Sequence, residues 1–330
     1  MNFLRFVSLF LLGLLTLALA AFAAVWFLNP TAPKVDLADA GPDGVRIAED
    51  GIIANYFAPE GEGPHPGVLL LGGSEGGLGA GVARLGRALR DEGYAVLQLS
   101  YFRGPRQPGR LELVPLELFE QALDTLAARP EVDASRLAII GGSKGAEAAL
   151  IIAARRPDIR AVVAGMPSSV SWQGIDWNIA KMIVDPPGAS WSLGGAPFPF
   201  LPYGRPEKPG GPIIDLYRAG LAKLADHPDA IIAVENIDAP VLLVCGEADT
   251  LWPSCPMAQD VKRRADGAGG PPVAILAYKD AGHAVFGLAL EESDPRFERL
   301  AALGGTPQGN NLARRESWPA ILSHLASALE

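Results

Sequence analysis

The stretch LAIIGGSKGAEAAL, Leu137–Leu150, joins an apolar strand pattern to an alanine-rich helix pattern through a glycine-rich turn. Its centre, Gly141–Gly145, fits the G-x-S-x-G pattern, in which a serine sits on a sharp strand-to-helix turn. Such a turn projects the serine hydroxyl above the carboxyl edge of a sheet, beside amide groups at a helix N-terminus. Ser143 is therefore the candidate nucleophile. On this stretch alone, a glycine-rich corner without chemistry remains an alternative.

Strand and helix patterns alternate on both sides of this stretch. Fully apolar strands separated by amphipathic helices are typical of a parallel sheet covered on both faces. Together with the serine turn, they predict an α/β fold of the α/β-hydrolase type. The predicted strands are 45–47, 52–56, 68–71, 95–102, 137–140, 161–165, 241–245 and 273–278, and the predicted helices are 82–89, 116–128, 146–155, 257–264 and 318–329.

Residues 170–236 interrupt the alternation with many prolines, glycines and aromatic residues. A structureless loop of this length is unusual in a compact domain. We interpret it as a cap or lid inserted into a hydrolase domain that covers residues 44–330. The alternative is a pair of ordinary helices, at 180–184 and 214–224, and the two interpretations are compatible.

The N-terminus carries an uncharged apolar run, Phe6–Leu28, which as a helix spans roughly 35 Å and can cross a bilayer. It is expected to be a transmembrane anchor within residues 1–28, or a signal peptide cleaved near Ala23. Arg5 precedes the run, and no positive excess follows it, which places the rest of the chain outside the cytoplasm. The expected location is extracytoplasmic, periplasmic in a bacterium, anchored or secreted. Residues 29–43 are expected to form a linker.

Composition excludes several partners. The 330 residues carry a net charge of −9 without a basic block, so no nucleic-acid partner is expected. Cysteine and histidine spacing suggests no metal, and no cofactor is implied. Cys245 and Cys255 could pair in an oxidising compartment, but a buried free thiol at Cys245 is favoured. The sequence does not indicate an oligomeric state.

A serine nucleophile needs a base, and the chain has four histidines. In this fold the catalytic residues follow the chain order serine, acid, histidine, so His65 and His227 come too early in the sequence to be the base. His283, in the loop DAGHAVF after a strand, is the predicted base. His324 lies within the last helix, where a solvated surface position explains it.

The acid is expected after the preceding strand, where GEADTLWP offers two carboxylates. Asp249 is the predicted acid because it lies further along the turn, with Glu247 in reserve. Asp280 is interpreted as a turn residue.

An oxyanion hole is expected from the amide after the nucleophile and from an early glycine-rich loop. That loop is LLLGGSEGG, residues 69–77. The predicted donors are the amides of Lys144 and Ser74, with Glu75 as the alternative to Ser74. The Lys144 side chain is expected to pair with Glu147, three residues further on.

Several of these motifs resemble the C-terminal catalytic domain of acyl-CoA thioesterases and bile acid-CoA:amino acid N-acyltransferases. The resemblance covers roughly residues 60–330. It implies an α/β-hydrolase in which Ser143 attacks an acyl-CoA thioester, with Asp249 as acid and His283 as base. Longer members carry an N-terminal β-sandwich domain and use intracellular CoA substrates, whereas this chain is expected to be exported. The resemblance rests on GGSKGAEAAL (141–150), Leu99–Pro105, Val114–Leu123, GEADTLWPSCPMA (246–258), AGH (281–283) and LGGTPQGNNLARRESWPAIL (303–322).

The expected partners are a small-molecule acyl ester or thioester and, through residues 6–28, a membrane. The leading hypothesis is a serine hydrolase that forms an acyl-enzyme. The alternatives are an acyltransferase that uses an amine or alcohol as acceptor, and a membrane-anchored binding protein without turnover.

Overall fold

The computed structural model describes residues 2–28, 34–42, 44–206, 208 and 211–330, so part of the predicted linker, 29–33 and 43, lies outside the described residues. The helices and strands are, in chain order, α1 (Asn2–Leu28), β1 (Gly44–Glu49), β2 (Ile52–Phe57), β3 (His65–Leu71), α2 (Ala80–Asp91), β4 (Ala95–Ser100), β5 (Val114–Pro115), α3 (Leu116–Ala127), β6 (Val132–Gly142), α4 (Lys144–Ala153), β7 (Ile159–Gly165), α5 (Ile179–Val184), β8 (Trp191–Leu193), β9 (Ala196–Pro197), α6 (Ile214–Leu221), β10 (Val241–Gly246), α7 (Ser254–Ala268), β11 (Val273–Tyr278) and α8 (Pro307–Ala328).

The central sheet has eight strands in the order β1-β2-β4-β3-β6-β7-β10-β11. The first pairings, β1 with β2 and β2 with β4, are antiparallel, and the strands from β4 to β11 are parallel. Alternate side chains of β3 enter different cores. Leu69 packs in the cluster that contains α3, α4 and α7, whereas Leu70 packs with α2 and α8. The predicted α/β-hydrolase type of fold, a mostly parallel sheet with helices on both faces, is confirmed.

The last helix begins earlier than predicted. The expected start was Trp318, but α8 begins at Pro307. Thr306 caps it, since its hydroxyl accepts a hydrogen bond from the Gly309 amide at 2.9 Å. Gly309 and the two asparagines that follow have low helix propensity, so the sequence shows no helix pattern before Trp318.

The expectation of a free thiol at Cys245 is wrong. Cys245, in β10, and Cys255, in α7, form a disulfide with a Cα–Cα distance of 5.1 Å. Both residues are buried, as expected for Cys245. The chain between them folds back from the end of β10 into α7. A separation of ten residues does not reveal that return in the sequence.

The described residues between β7 and β10 form two short helices, α5 and α6, the strands β8 and β9, and three 3₁₀ turns. The helix predictions at 180–184 and 214–224 correspond to α5 and α6. No pattern in the sequence predicts the small sheet β5-β8-β9, because its strands are only two or three residues long. The boundaries of the hydrolase domain and of the cap stay predictions.

Among the described residues, one helix is long and apolar enough to cross a bilayer, and it lies at Arg5–Leu28. Its side chains are mostly exposed. The described part of the predicted linker packs on the domain. Leu37 forms a β-bridge with Leu78, and the Asp36 carboxylate accepts the Ala80 amide at the start of α2 at 2.6 Å.

Candidate active site

The serine turn has the strained backbone that its sequence pattern predicts. Strand β6 ends at Gly142 and helix α4 begins at Lys144, so Ser143 alone makes the turn. Its φ of 56° and ψ of −121° lie in a region that residues with a Cβ rarely adopt. The Ser143 amide donates to the carbonyl of Gly165 in the neighbouring strand at 2.9 Å, which anchors the turn to the sheet.

The outer glycines of the motif are required by close backbone contacts. A Cβ on Gly141 would lie 2.1 Å from the carbonyl oxygen of Gly145, and one on Gly145 would lie 2.2 Å from that of Gly72. Any larger residue would push α4 away from β6 or from the loop after β3. The G-x-S-x-G spacing is thus a packing requirement that brings the loop after β3 next to Ser143.

The structure brings Ser143, His283 and Asp249 into one hydrogen-bonded series. His283 Nε2 lies 3.0 Å from the Ser143 hydroxyl oxygen, and His283 Nδ1 lies 2.9 Å from Asp249 Oδ2. An ionised carboxylate can only accept, so Nδ1 carries the proton and Nε2 accepts from the hydroxyl. All three residues are at least nine-tenths buried, with 9, 8 and 6 % exposure. This geometry can move a proton from serine to imidazole.

The Asp249 carboxylate is held from two sides. Its Oδ1 accepts the amides of Leu251 and Trp252 at 2.9 and 3.3 Å, and its Oδ2 accepts the Ser254 hydroxyl at 2.8 Å. Ser254 begins α7 and precedes the disulfide residue Cys255. These bonds fix the oxygen that faces His283. Sequence reasoning missed Ser254, because a serine five residues downstream carries no recognisable signal.

The loop that carries His283 is held by the first turns of α8. Asn310 is fully buried, and its Oδ1 accepts the Gly282 amide at 2.9 Å. The His283 amide donates to the carbonyl of Leu303 at 3.0 Å. Asn310 also escaped the sequence analysis, because it lies before the predicted start of the last helix at Trp318.

The predicted oxyanion loop lies beside the serine, since a Cβ on Gly73 would be 3.3 Å from the Ser143 Cβ. The Trp177 indole donates to the Ser74 carbonyl at 2.6 Å, which holds the peptide that links Ser74 to Glu75. Within the described ranges, the amides of Ser74 and Lys144 donate to no protein group, whereas the Gly73 amide donates to Glu75 Oε1 at 3.1 Å. Two unpaired amides near a serine hydroxyl are suited to binding an oxyanion.

A second charged pair lies directly behind the serine. Lys144 Nζ lies 2.9 and 2.8 Å from the two carboxylate oxygens of Glu147, as the sequence predicted. Both side chains are buried, at 1 and 0 % exposure. Glu147 Oε1 also accepts the amide of Trp172 at 3.0 Å and the indole of Trp191 at 2.7 Å. Burial is the largest influence on both groups: it lowers the pKa of Lys144 and raises the pKa of Glu147.

Aromatic rings lead from the segment between β7 and β10 to the imidazole. Trp172 contacts Tyr217 with ring centroids 4.9 Å apart, Tyr217 contacts Trp252 at 5.6 Å, and Trp252 contacts His283 at 5.7 Å. Trp172 and Trp252 are fully buried. This packing holds the segment against the catalytic edge of the sheet and fixes the ring of His283.

The remaining candidates lie elsewhere. Glu247 is exposed, and the histidine contacts Asp249 instead. His65 begins β3, at the end of the parallel sheet opposite Ser143. His324 is half-buried in α8, not solvated as expected, and burial lowers its pKa. Among the described residues, no three His, Cys, Asp or Glu side chains are arranged to hold a metal.

Sequence comparison finds relatives along most of the chain. Residues 114–330 match the family model of BAAT / Acyl-CoA thioester hydrolase C terminal. Acyl-coenzyme A thioesterase 5 of Mus musculus is 28% identical over 83% of this chain, and acyl-coenzyme A thioesterase 6 of Homo sapiens is 28% identical over 82%. The chain covers 62% of each of these two relatives.

Solved structures share the fold at lower identity. A putative dienelactone hydrolase from Klebsiella pneumoniae superposes with a TM-score of 0.54 and 18% identity, over 86% of this chain and 97% of that one. An acylaminoacyl peptidase from Pyrococcus horikoshii gives 0.53 and 15% identity, over 90% of this chain and 42% of that one. At these identities the likeness establishes the α/β-hydrolase fold alone.

Proposed function

This chain belongs to the family of BAAT / acyl-CoA thioester hydrolase C-terminal domains, and from that membership we propose that it is a serine hydrolase of acyl thioesters or esters. The observation that carries the proposal is the hydrogen-bonded series Ser143–His283–Asp249 at the carboxyl edge of the sheet. The thioesterase names of its relatives point to an acyl-CoA or a similar thioester as substrate.

The reaction follows from the hydrogen bonds. His283 Nε2 takes the hydroxyl proton as Ser143 attacks the acyl carbonyl, and the carbonyl oxygen becomes an oxyanion. When the tetrahedral intermediate collapses, the thiol or alcohol leaves with the proton from His283. A water molecule then gives a proton to His283 and attacks the acyl-enzyme, and His283 returns that proton to the Ser143 oxygen as the acid is released. Asp249 stabilises the imidazolium and fixes its orientation.

The oxyanion hole is proposed at the amides of Lys144 and Ser74. Lys144 contributes the first amide of α4, where the helix dipole adds partial positive charge. Ser74 contributes an amide from the glycine-rich loop, in which the Trp177 indole holds the following peptide, between Ser74 and Glu75. Glu75 remains the alternative donor to Ser74. Each such donor typically contributes about 10²-fold or more to kcat.

The location is proposed as extracytoplasmic, with α1 as a membrane anchor or, if cleaved near Ala23, a signal peptide. The exposed apolar surface of α1 supports a membrane segment. The disulfide Cys245–Cys255 supports an oxidising compartment, because such bonds are rare in the cytosol. No feature of the described residues favours an acyltransferase or a binding protein without turnover.

Hydrolysis of a panel of acyl-CoA and p-nitrophenyl esters by the full chain in detergent tests the proposal. Wild type is expected to release CoA thiol or nitrophenol, and Ser143→Ala to lose the activity by about 10³-fold or more. Ser323→Ala, at an exposed serine of α8, is the matched control and should keep wild-type rates. Absence of turnover in wild type on every substrate would contradict the proposal.

A further inference from the structure

The last turn of α1 is docked on the protein through one buried side chain. Asn178 Nδ2 donates to the carbonyls of Val25 and Trp26 at 3.0 and 2.8 Å. These carbonyls belong to the end of the helix, where intrahelical donors run out. The same asparagine caps α5, since its Oδ1 accepts the amides of Ala180 and Lys181 at 3.1 and 3.2 Å.

Two connections lead from this docking point to the loop beside Ser143. Trp177, which precedes Asn178, donates its indole hydrogen to the Ser74 carbonyl at 2.6 Å. On the other side, Asp36 follows Leu28 by eight positions, a stretch of at most about 30 Å. The Asp36 carbonyl and carboxylate bond the amides of Leu78 and Ala80 at the far end of the same loop.

The free end of α5 exposes apolar side chains next to the end of α1. Ile183 and Val184 are 74 and 60 % exposed, and Phe27 and Leu28 at the end of α1 are 80 and 76 % exposed. The two helices are in contact, and the Lys181 ammonium lies 5.7 Å from the Trp26 ring. A lysine and a tryptophan at this position are typical of the interface of a bilayer.

We propose that Ile183 and Val184 insert into the surface of the bilayer that holds α1, and that the acyl substrate reaches Ser143 from that bilayer. The substrate class is an acyl ester or thioester whose chain partitions into lipid. This proposal rests on the proposed hydrolase function. The occupant of the apolar surface is lipid because that surface continues from the end of a helix that is itself apolar on all sides.

Electrostatic attraction does not explain the proposed contact between the surface around Ile183 and Val184 and the bilayer. The net charge of −9 repels anionic headgroups, so apolar insertion has to carry the attachment. Uncharged or zwitterionic lipid is therefore the appropriate surface for a test. The segment 177–184 then forms the bilayer side of the active-site rim, and Trp177 bonds it directly to the loop that carries Ser74.

The first experiment measures the contact between position 183 and the lipid independently of enzyme activity. Full-length protein with Ile183→Cys carries a thiol-reactive fluorophore and is placed in phosphatidylcholine nanodiscs with doxyl-labelled lipid. We expect strong quenching at position 183 and none at the exposed control position Leu312, labelled in the same way through Leu312→Cys. A label at 183 that is shielded from water yet not quenched would mean that a second copy of the chain covers the surface, and would overturn the proposal.

The second experiment tests whether substrate reaches Ser143 from the lipid. Hydrolysis is measured in the same nanodiscs, with p-nitrophenyl butyrate dissolved in water and p-nitrophenyl palmitate in the lipid. Ile183→Asp/Val184→Asp should lower the ratio of kcat/KM for palmitate to that for butyrate by about tenfold or more. Leu312→Asp should leave the ratio unchanged. An unchanged ratio in the double variant would overturn delivery from the bilayer. Failure of wild type to hydrolyse either ester would instead refute the hydrolase function, while the quenching result would still decide the membrane contact.

Discussion

Two acid–base pairs lie next to Ser143, and they differ in what they touch. His283 and Asp249 lie in front of the serine, and the imidazole contacts its hydroxyl at 3.0 Å. Lys144 and Glu147 lie behind it, enclosed at 1 and 0 % exposure, and the Glu147 carboxylate accepts the Trp172 amide and the Trp191 indole instead.

The difference indicates separate tasks for groups that are close in sequence. The front pair can exchange a proton with a substrate, because its imidazole reaches the reacting hydroxyl. The rear pair has no such access, and it ties helix α4 to the segment that carries Trp172 and Trp191. Lys144 directly follows the nucleophile in the sequence, but its charged side chain therefore takes no part in the proposed chemistry. We expect substitutions in front to change the rate, and substitutions behind to change the stability.

The largest expected effect is on the rate. Asp249→Asn should lower kcat by about 10⁴-fold, because a neutral amide can neither fix the required imidazole tautomer nor stabilise the imidazolium. The amide oxygen can take the place of Oδ1 and accept the amides of Leu251 and Trp252, and the Ser254 hydroxyl can turn to accept from the amide nitrogen, so the protein should stay folded. Steady-state kinetics and thermal unfolding in the same detergent check both points. A decrease in kcat of less than about tenfold would remove Asp249 from its proposed role.

The next effect concerns the rear pair. Glu147→Gln should lower the free energy of unfolding by about 3–5 kcal/mol, because it leaves the Lys144 ammonium buried without a counter-charge. Lys144→Met/Glu147→Gln should recover most of this loss, since the glutamine oxygen still accepts from Trp172 and Trp191. Thermal or denaturant unfolding of both variants measures the difference.

Two outcomes would break the comparison between the pairs. One is a double variant as unstable as Glu147→Gln. The other is a stable Glu147→Gln protein whose kcat falls as far as that of Asp249→Asn, which would move Glu147 into the chemistry.

The smallest effect concerns the disulfide that closes the Asp249 loop. Cys245→Ala/Cys255→Ala should lower the free energy of unfolding by about 2–4 kcal/mol, because the unfolded chain gains freedom. Since Cys255 follows Ser254, kcat should also fall, but by much less than in Asp249→Asn. Denaturant titration and kinetics of the double variant measure both quantities. Equal stability with and without the bond would show that the loop is held by its hydrogen bonds alone.

The sequence predicted the fold and the front pair because both follow from local patterns. Strand periodicity placed the sheet, and the order serine, acid, histidine on strand ends led to His283 as the base and to Asp249 as the acid, with Glu247 in reserve. Lys144 and Glu147 were also predictable as a pair, since three residues separate them on one helix. In each case the position of the partner residue follows from a predicted strand or helix: Asp249 and His283 follow strand ends, and Glu147 lies on the same helix as Lys144.

The rest depends on contacts between distant parts of the chain. Trp191 meets Glu147 across 44 positions, and Asn310 supports the His283 loop from a stretch with poor helix propensity. The disulfide needs the return of the chain after β10, which ten residues of sequence do not specify. Such contacts are fixed by packing and not by local propensity, so no pattern in the sequence indicates them.

Covalent labelling by a fluorophosphonate, mapped by mass spectrometry of the digested protein, tests the division of tasks most directly. We expect one adduct, on Ser143, formed rapidly in wild type and in folded Lys144→Met/Glu147→Gln, slowly in Asp249→Asn, and not at all in Ser143→Ala. An adduct on another residue, or equal labelling of wild type and Ser143→Ala, would contradict it.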